Sequence, residues 1–316
     1  MANSRREFLQ SSVVAAMGAI GGGQLAMAAP MQDVAAPHGS GPDAAVQVPK
    51  MKFGSAEIGR LVLGCNPMNG FSHFNGQYSN LMREWFTQDR TMAPMYRAAS
   101  FGINAFQYTN SGRCPEDWER FKAEGGKMHL IAGDSSDRDP VTVVGNLKPH
   151  AFHRQGEVVD VAFRNGTMNT VREWCKKVRD TGVMTGVATH KPEVIAMIEE
   201  QGWDVDYYCG CVYNRTRNDE EWRKVLGGEL PEMTREIYIQ SDPARMYKVM
   251  RQTWKPCFAF KILAAGRIAD GGIAQAFRTA FTSIKAIDGV FVGMFPSEKD
   301  QVKENAEIVH GILTGA

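Results

Sequence analysis

Residues 183–193, Val183-Met184-Thr185-Gly186-Val187-Ala188-Thr189-His190-Lys191-Pro192-Glu193, contain both halves of one β/α unit. The first eight residues are mostly apolar or β-branched and are typical of a buried strand that ends at His190. Pro192 then opens a helix, because proline lacks the N–H that the first helical position does not need. Apolar residues three and four apart, beginning at Val194, continue that helix.

Seven further apolar runs are separated by helix-like patterns of the same kind. They are Arg60–Gly64, Ile103–Tyr108, Met128–Ala132, Ala151–His153, Val205–Val212, Cys257–Leu263 and Gly289–Phe295. Eight strands that alternate with helices predict a parallel sheet, and at this chain length an α/β fold of the closed (β/α)₈, or TIM-barrel, class. The charged segment between Arg215 and Pro243 is a long insertion after the sixth strand, and we expect it to cover the barrel mouth.

The charge composition of the chain indicates which classes of binding partner we expect. Of the 316 residues, 36 are Lys or Arg and 35 are Asp or Glu, so the net charge is +1, and no basic stripe stands out. We therefore expect a small-molecule substrate and no nucleic acid. The six cysteines form no Cys-x-x-Cys pair, so their spacing predicts neither a zinc knuckle nor a disulfide scaffold.

The N-terminus has the order of regions found in a twin-arginine export signal. Arg5-Arg6 precedes a short apolar, glycine-containing run, Val13–Leu25, and the small-residue sequence Ala26-Met27-Ala28. This order predicts a signal peptide over residues 1–29, export by the twin-arginine machinery, and a periplasmic or otherwise exported protein. The apolar run is too short to be a stable membrane span.

The rest of the chain divides at a change in composition. Residues 30–48 contain almost no large apolar side chains, so we expect a disordered linker. Residues 49–316 are then one barrel domain.

Polar side chains follow several of the predicted strands, where active sites of such barrels lie. The catalytic candidates are His153, His190, Lys261 and Asp134, and the substrate-binding candidates are Asn66, His73, Gln107 and Tyr213. Histidine, lysine and carboxylate side chains suit acid–base catalysis, whereas amides and tyrosine suit the binding of hydroxyl or carbonyl groups.

The roles of three catalytic candidates have alternatives. His153 and His190 are either an acid–base pair or, with Asp134, ligands of a divalent metal, which is the less favoured hypothesis. Lys261 is a proton donor, a base of lowered pKa or a Schiff-base nucleophile. Its structural alternative is an ion pair with Asp134 across the barrel.

The chain resembles the aldo-keto reductase superfamily. The sequence Met51–Gly64 is similar to the N-terminal hairpin and first strand of that family, and Gly186–Glu193 resembles its fifth strand and following helix. Leu263–Arg267 is similar to the loop after its seventh strand. Ser297–Asn305 is similar to its nucleotide-binding loop and helix. This resemblance implies a (β/α)₈ barrel with an N-terminal β-hairpin.

The resemblance also implies a site for NADP. Its candidate residues are Gly266, Arg267, Ser297, Gln301, Glu304 and Asn305. A helix N-terminus, such as the one expected after Ser297, offers free N–H groups to phosphates.

The catalytic tetrad of the family is not retained. Gln107 stands at the position of its aspartate, Gly112 at that of its tyrosine, and Gly133-Asp134 where its lysine is expected. Only His153 matches. The chain therefore resembles a divergent branch of the family, for which the resemblance implies no secure activity.

Three functions remain open from the sequence. The first is an exported oxidoreductase that acts with NADP on a small, polar, sugar-like carbonyl or alcohol. The second is a cofactor-free or metal-assisted isomerase, lyase or hydrolase of a carbohydrate, which would use the histidine, lysine and aspartate side chains. The third is a barrel that binds a ligand without catalysis. The ring of ionisable residues favours an enzyme, and the nucleotide-loop resemblance favours the oxidoreductase.

Overall fold

The computed structural model describes residues 45–230, 236–268 and 272–316. The predicted signal peptide, and the predicted linker up to residue 44, lie outside these described residues. Val48 is already buried, and its N–H donates to the carbonyl of Phe101 over 2.8 Å.

The described residues form ten strands, which we number β1 to β10 in chain order. They are Lys50–Phe53, Ala56–Gly59, Leu61–Gly64, Ala105–Thr109, His129–Asp134, Ala151–Arg154, Met184–Thr189, Tyr207–Cys211, Cys257–Phe260 and Gly289–Gly293. The last eight are the eight strands that the apolar runs predict.

The described residues also form eleven α-helices, which we number α1 to α11 in chain order. They are Gly76–Trp85, Gln88–Ser100, Cys114–Ala123, Pro140–Leu147, Gly156–Arg164, Met168–Arg179, Pro192–Glu200, Asp219–Leu226, Asp242–Gln252, Ile273–Ser283 and Gln301–Thr314. Local signals set several of their starts. Pro192 occupies the first turn of α7, and the Asp139 carboxylate accepts the Thr142 N–H at the start of α4.

Strands β3 to β10 close into a parallel barrel in chain order. Closure occurs between the last strand and the first, where Phe291 pairs with Val62 and Gly293 with Gly64. The predicted (β/α)₈ fold class is therefore confirmed. All eight strands run in one direction, so the loops that follow them meet at one end of the barrel.

The antiparallel hairpin β1–β2 closes the opposite end. Phe53 packs edge-on against Tyr207 and Phe258, with ring centroids 5.1 and 5.0 Å apart. Met51 and Ile58 join the same buried cluster inside the barrel. The predicted N-terminal hairpin is thus present, and among the described residues the barrel is open to a ligand at its C-terminal end.

A second buried cluster lies between the barrel strands and the surrounding helices. It contains four of the six cysteines as thiols. Cys209 is buried inside the barrel, Cys211 is also buried, and all six are free. No helix in the described ranges combines the length and the apolar character that crossing a membrane requires.

Candidate active site

A cavity of about 950 Å³ opens at the C-terminal ends of the barrel strands. This volume lies at the upper end of the range for small-molecule sites. Its floor contains small or apolar residues of the strands, including Gly133, Ala188, Cys209 and Phe291, and its walls carry polar residues of the following loops.

Most of the predicted site residues meet in this cavity. The lining includes Asn66, His73, Gln107, His153, His190, Lys261, Gly266, Gln301, Glu304 and Asn305. The other four, Asp134, Tyr213, Arg267 and Ser297, are not among its lining residues.

Asp134 is held away from the cavity by other partners. It is buried, and its carboxylate accepts the Ser136 hydroxyl over 2.8 Å and lies 3.4 Å from Arg154 Nη1. The expected ion pair with Lys261 is not among its contacts. Within the described part of the chain, no group of three histidine, cysteine, aspartate or glutamate side chains is arranged to hold a metal. The metal hypothesis that joins Asp134 to the two histidines therefore has no support in this geometry.

Two further candidates have structural contacts. The Tyr213 ring is buried and packs against Tyr238, with centroids 5.0 Å apart. Gln107 does reach the cavity, but its Nε2 donates to the Tyr108 carbonyl over 3.0 Å. Its amide is thus partly occupied in fixing the end of β4.

His190 and Asp160 form a buried pair beside the cavity. His190 Nδ1 lies 2.7 Å from Asp160 Oδ2, and both side chains are at most 3% exposed. The same carboxylate accepts the hydroxyl of Thr216 over 2.9 Å and that of Thr189. Asp160 therefore fixes a hydrogen on Nδ1 and sets the orientation of the ring. Gly156 permits this approach, because a Cβ there would lie 3.1 Å from His190 Cε1.

Opposing effects act on the charge of His190. Burial disfavours the imidazolium, but the Cys211 sulfur and the Asp160 carboxylate favour it and raise the pKa of His190 to about 9. Arg215 Nη1 lies 3.4 Å from His190 Nε2 and acts against protonation there. The Asp160 contact is shorter than the Arg215 contact and joins opposite charges. Of these two contacts, the one with Asp160 therefore has the larger effect on the pKa of His190.

His153 has the opposite character. Its Nδ1 lies 3.1 Å from the Tyr207 hydroxyl, and burial lowers the pKa of the imidazole to about 3. The ring is therefore neutral at physiological pH. Gly133 gives it room, since a Cβ at residue 133 would lie only 2.7 Å from His153 Nε2.

Four side chains from three loops and helix α5 form a charged rim at the cavity mouth: His73, Glu157, Arg215 and Glu236. Arg215 bonds to both carboxylates, and His73 Nδ1 lies 2.8 Å from Glu236 Oε1. Glu236 also accepts the Tyr238 hydroxyl over 2.8 Å. One described part of the predicted insertion, at Glu236, thus meets the loop after β3, and another, at Arg215, meets helix α5.

Contacts within the rim keep its two carboxylates ionised. Burial alone would raise the pKa of Glu236, but its bonds to His73 and Arg215 outweigh this and hold that pKa well below its usual range. Glu157 has a lowered pKa because its bond to Arg215 outweighs its burial. Each carboxylate therefore stays ionised at neutral pH and is already paired within the rim.

Lys261 follows β9 and has a left-handed backbone, with φ at 60°. Its side chain reaches the cavity, and it has no hydrogen bond or ion pair with residues 45–230, 236–268 or 272–316. Burial is the main reason that the pKa of Lys261 is lowered to about 8, and the positive charge of Arg215 acts in the same direction. The amine can thus exchange a proton near neutral pH.

Arg267 is occupied by the protein itself. Its guanidinium donates to the carbonyls of His73, Glu236 and Ala264 over 3.1, 3.1 and 3.2 Å. It also stacks over the Tyr238 ring at 4.2 Å. This arginine therefore fastens loops, and the structure does not direct it toward a phosphate.

The residues assigned to a nucleotide by resemblance fit its phosphates poorly. Gly266, Gln301, Glu304 and Asn305 share one wall of the cavity. However, the Asp300 carboxylate already accepts the Lys303 N–H at the start of α11, and Glu304 adds a negative charge to its first turn. Glu304 Oε1 also holds Lys299 over 2.7 Å. Negative charge at this helix terminus opposes the binding of an anion.

Sequence reasoning did not find four residues of the site: Glu157, Asp160, Arg215 and Glu236. Asp160 had a detectable signal, because it is an acidic residue on the buried face of α5, beside Val159 and Ala162. Arg215 is the first residue of the insertion predicted after the sixth strand. Glu236 lies in the insertion, where no periodic pattern marks it.

No protein-family model matches the chain. A search of curated proteins gives no match either. Solved structures do match. A mandelate oxidase bound to 3,3-difluoro-2-hydroxy-3-phenylpropionic acid is 13% identical, over 86% of this chain and 77% of that one, with a TM-score of 0.48.

Two other similar structures have lower scores. Spore coat polysaccharide biosynthesis protein spsE from Bacillus subtilis is 10% identical, over 84% of this chain and 72% of that one, with a TM-score of 0.43. A FabK mutant from Thermotoga maritima is 12% identical, over 74% of this chain and 60% of that one, with a TM-score of 0.38. Likenesses this distant carry no argument about function, and the fold rests on the strand order itself.

Proposed function

We propose that the protein is an enzyme that transfers a proton at the carbonyl or hydroxyl group of a small, polar, sugar-like substrate. One observation carries the proposal: the Lys261 amine lies in the main cavity without a bonding partner among the described residues. An amine that is kept unpaired in a confined site is costly unless it acts on a ligand.

The roles of the neighbouring groups follow from their contacts. Lys261 gives its proton to an oxygen that gains negative charge, or takes one when neutral. The Tyr207 hydroxyl lies 3.1 Å from His153 Nδ1, which leaves Nε2 of the neutral ring for the substrate. His190, with Nδ1 bound to Asp160, presents Nε2 as the second proton carrier.

A polyhydroxylated substrate suits the remaining lining. Amides and hydroxyls at Asn66, Ser72, Thr109, Ser111 and Gln155 are on the cavity wall. These groups can both donate and accept hydrogen bonds, as sugar hydroxyls require. The rings of Phe71 and Phe74 are partly exposed at the mouth and can cover the apolar face of a sugar.

Exchange of substrate protons with solvent tests this proposal. The protein is incubated in D₂O with dihydroxyacetone, glyceraldehyde and a set of aldoses, and the C–H signals next to each carbonyl are followed by NMR. The wild type should exchange at least one of these protons, and Lys261→Met should lose that exchange while it remains folded. Equal exchange rates in the two proteins, or no exchange in the wild type, would overturn the proposal.

A second candidate is oxidation or reduction of the same substrate class with NADP. It is favoured by the shared wall of Gly266, Gln301, Glu304 and Asn305, and by the resemblance to aldo-keto reductases. It ranks second because the charges at the start of α11 oppose a phosphate. Titration with NADPH, followed by its fluorescence, separates the two candidates: a saturable signal supports the second, and an unchanged signal removes it.

We also propose that the chain is a divergent relative of the aldo-keto reductases that the twin-arginine machinery exports to the periplasm. The hairpin under the barrel and the motifs quoted above support the relationship. The Arg5-Arg6 pair and the short apolar run behind it support the export route.

A further inference from the structure

Lys261 is the only lysine among the described residues that line the cavity. The other buried lysine at β9, Lys255, lies before the opposite end of the strand, where its Nζ contacts Glu199 Oε1 at 2.6 Å. The two amines are thus close in sequence but differ in surroundings. One is paired at the closed end of the barrel, and the other faces the open end.

The charged groups around Lys261 already have partners. Glu157 and Glu236, whose charges would stabilise the ammonium, are both bonded to Arg215. Arg215 and its own positive charge, together with burial, favour the neutral amine. The Cys211 sulfur acts in the other direction, and the pKa of Lys261 settles at about 8. A neutral amine has the lone pair that attack on a carbonyl requires.

We propose that the Lys261 amine attacks a ketone or aldehyde of the substrate and forms an imine with it. This inference rests on the proposed function, because it assumes that the cavity takes a carbonyl compound. The Nζ lone pair forms a bond to the carbonyl carbon, and the C=O π electrons pass to oxygen. A proton moves from nitrogen to that oxygen, and a second proton, from an acid on the cavity wall, releases it as water. The protonated imine keeps the positive charge.

His190 is the wall group suited to supply that second proton. Its Nδ1 is bound to Asp160, so only Nε2 is directed to other partners. His190 and Lys261 both line the same cavity. The resulting imine would make the adjacent C–H bond acidic, and this agrees with proton exchange as the first step of the proposed chemistry.

Limited reductive methylation tests the nucleophile without knowledge of the substrate. The folded protein is treated at pH 7 with less formaldehyde than lysine, in the presence of cyanoborohydride. Formaldehyde forms an imine with neutral amines, and hydride reduces it to a methylamine that peptide mass spectrometry locates. With a pKa near 8, the neutral fraction of Lys261 at pH 7 is roughly two-hundredfold that of an ordinary lysine, whose pKa is about 10.4.

Lys261 should be methylated first, ahead of the exposed Lys52 and the paired Lys255. Lys261→Arg should remove that label and leave the others unchanged, since a guanidinium forms no such imine. Methylation of Lys52 while Lys261 stays unmodified would overturn the inference. If Lys261 is unreactive but Lys261→Met still abolishes proton exchange, the proposed function stands and only the covalent step is wrong.

Dihydroxyacetone with borohydride provides a second measurement when exchange on that ketone is found. The reduced adduct adds the mass of dihydroxyacetone less one oxygen. We expect this mass on the peptide that contains Lys261 and its absence from Lys261→Arg. Exchange without any trapped adduct would contradict imine formation.

Discussion

The Asp160 carboxylate on helix α5 lies 2.7 Å from Nδ1 of His190, which follows the next strand, and both groups are buried. The pair thus joins one β/α unit to the next beneath the cavity wall. Its geometry leads to a prediction about charge.

Asp160→Asn should lower the pKa of His190 from about 9 toward or below 6.5. The amide carries no charge to oppose burial, and the Arg215 contact at Nε2 then favours the neutral ring. An NMR titration of the His190 ring measures the change. Asp139→Asn, which alters a helix cap and an exposed pair with Lys177 at the surface, is the control. An unchanged titration in Asp160→Asn would remove the electrostatic role of the pair.

The same pair makes stability depend on pH. Because the pKa of His190 is raised on folding, its stabilisation is complete below about pH 6.5 and is lost as the pH rises through about 9. Urea denaturation should therefore show the wild type losing on the order of 3 kcal/mol over this interval from His190. Asp160→Asn should show a smaller loss, because only the Cys211 sulfur then still favours the imidazolium. Parallel pH curves for the two proteins would contradict the prediction.

Lys261→Met should reduce activity by at least about 100-fold, the range for loss of a general acid or base. It should also raise the thermal midpoint, because an apolar side chain replaces an amine that is costly to bury unpaired. Proton-exchange rates and calorimetry measure the two effects. A fall in both activity and midpoint would indicate that the lysine is structural.

Glu236→Gln should loosen the charged rim. The neutral amide no longer attracts Arg215 and accepts a weaker hydrogen bond from His73, so the segment around Tyr238 should become more accessible. We expect cleavage there by limited proteolysis to be several-fold faster. Glu193→Gln removes one partner of the exposed Arg245–Glu193 pair and should leave cleavage unchanged. Equal rates in all three proteins would show that the rim does not hold the segment.

The buried pair of Arg217 and Asp242 should contribute strongly to stability. Both side chains are at most 4% exposed, and Asp242 also accepts the Asn214 N–H over 3.1 Å. Asp242→Ala leaves a buried guanidinium unpaired and should cost about 3–5 kcal/mol in urea denaturation. Asp219→Ala, which removes an exposed pair with Arg223, should cost less than about 1 kcal/mol. Similar losses in both variants would be inconsistent with this reasoning.

Replacing Arg5 and Arg6 together by lysine should block export. The twin-arginine route reads the arginine pair, whereas lysine keeps only the charge. Cell fractionation should find the processed wild type outside the cytoplasm and the variant uncleaved inside it. Export of both proteins in equal amounts would exclude this route.

The barrel could be predicted from sequence because each strand has a recognisable local sequence pattern. The run that ends at His190 is apolar, short and followed by Pro192, and seven other runs repeat the arrangement. Cavity residues next to strand ends could be found in the same way, since parallel strands bring their C-terminal ends together. His153 and Lys261 are examples.

The electrostatic environment of the site could not be predicted in this way. Whether Asp134 faces the cavity depends on Arg154, which binds it from the neighbouring strand β6. The partner of His190 is on a helix, and Glu236 reaches His73 across more than 160 residues of sequence. Such pairings depend on how loops pack, and local patterns contain no information on that.

Arg267 hydrogen-bonds the carbonyls of residues from three connections: the one after β3, the one after β8 and its own after β9. Because these acceptors are backbone atoms, the loop sequences can diverge freely as long as the chain path is kept. Insertions or deletions in any one loop, by contrast, would displace the Arg267 guanidinium, to which the other two loops are also bonded. Evolution of a new specificity at this mouth should therefore proceed by side-chain replacement and rarely by changes in loop length.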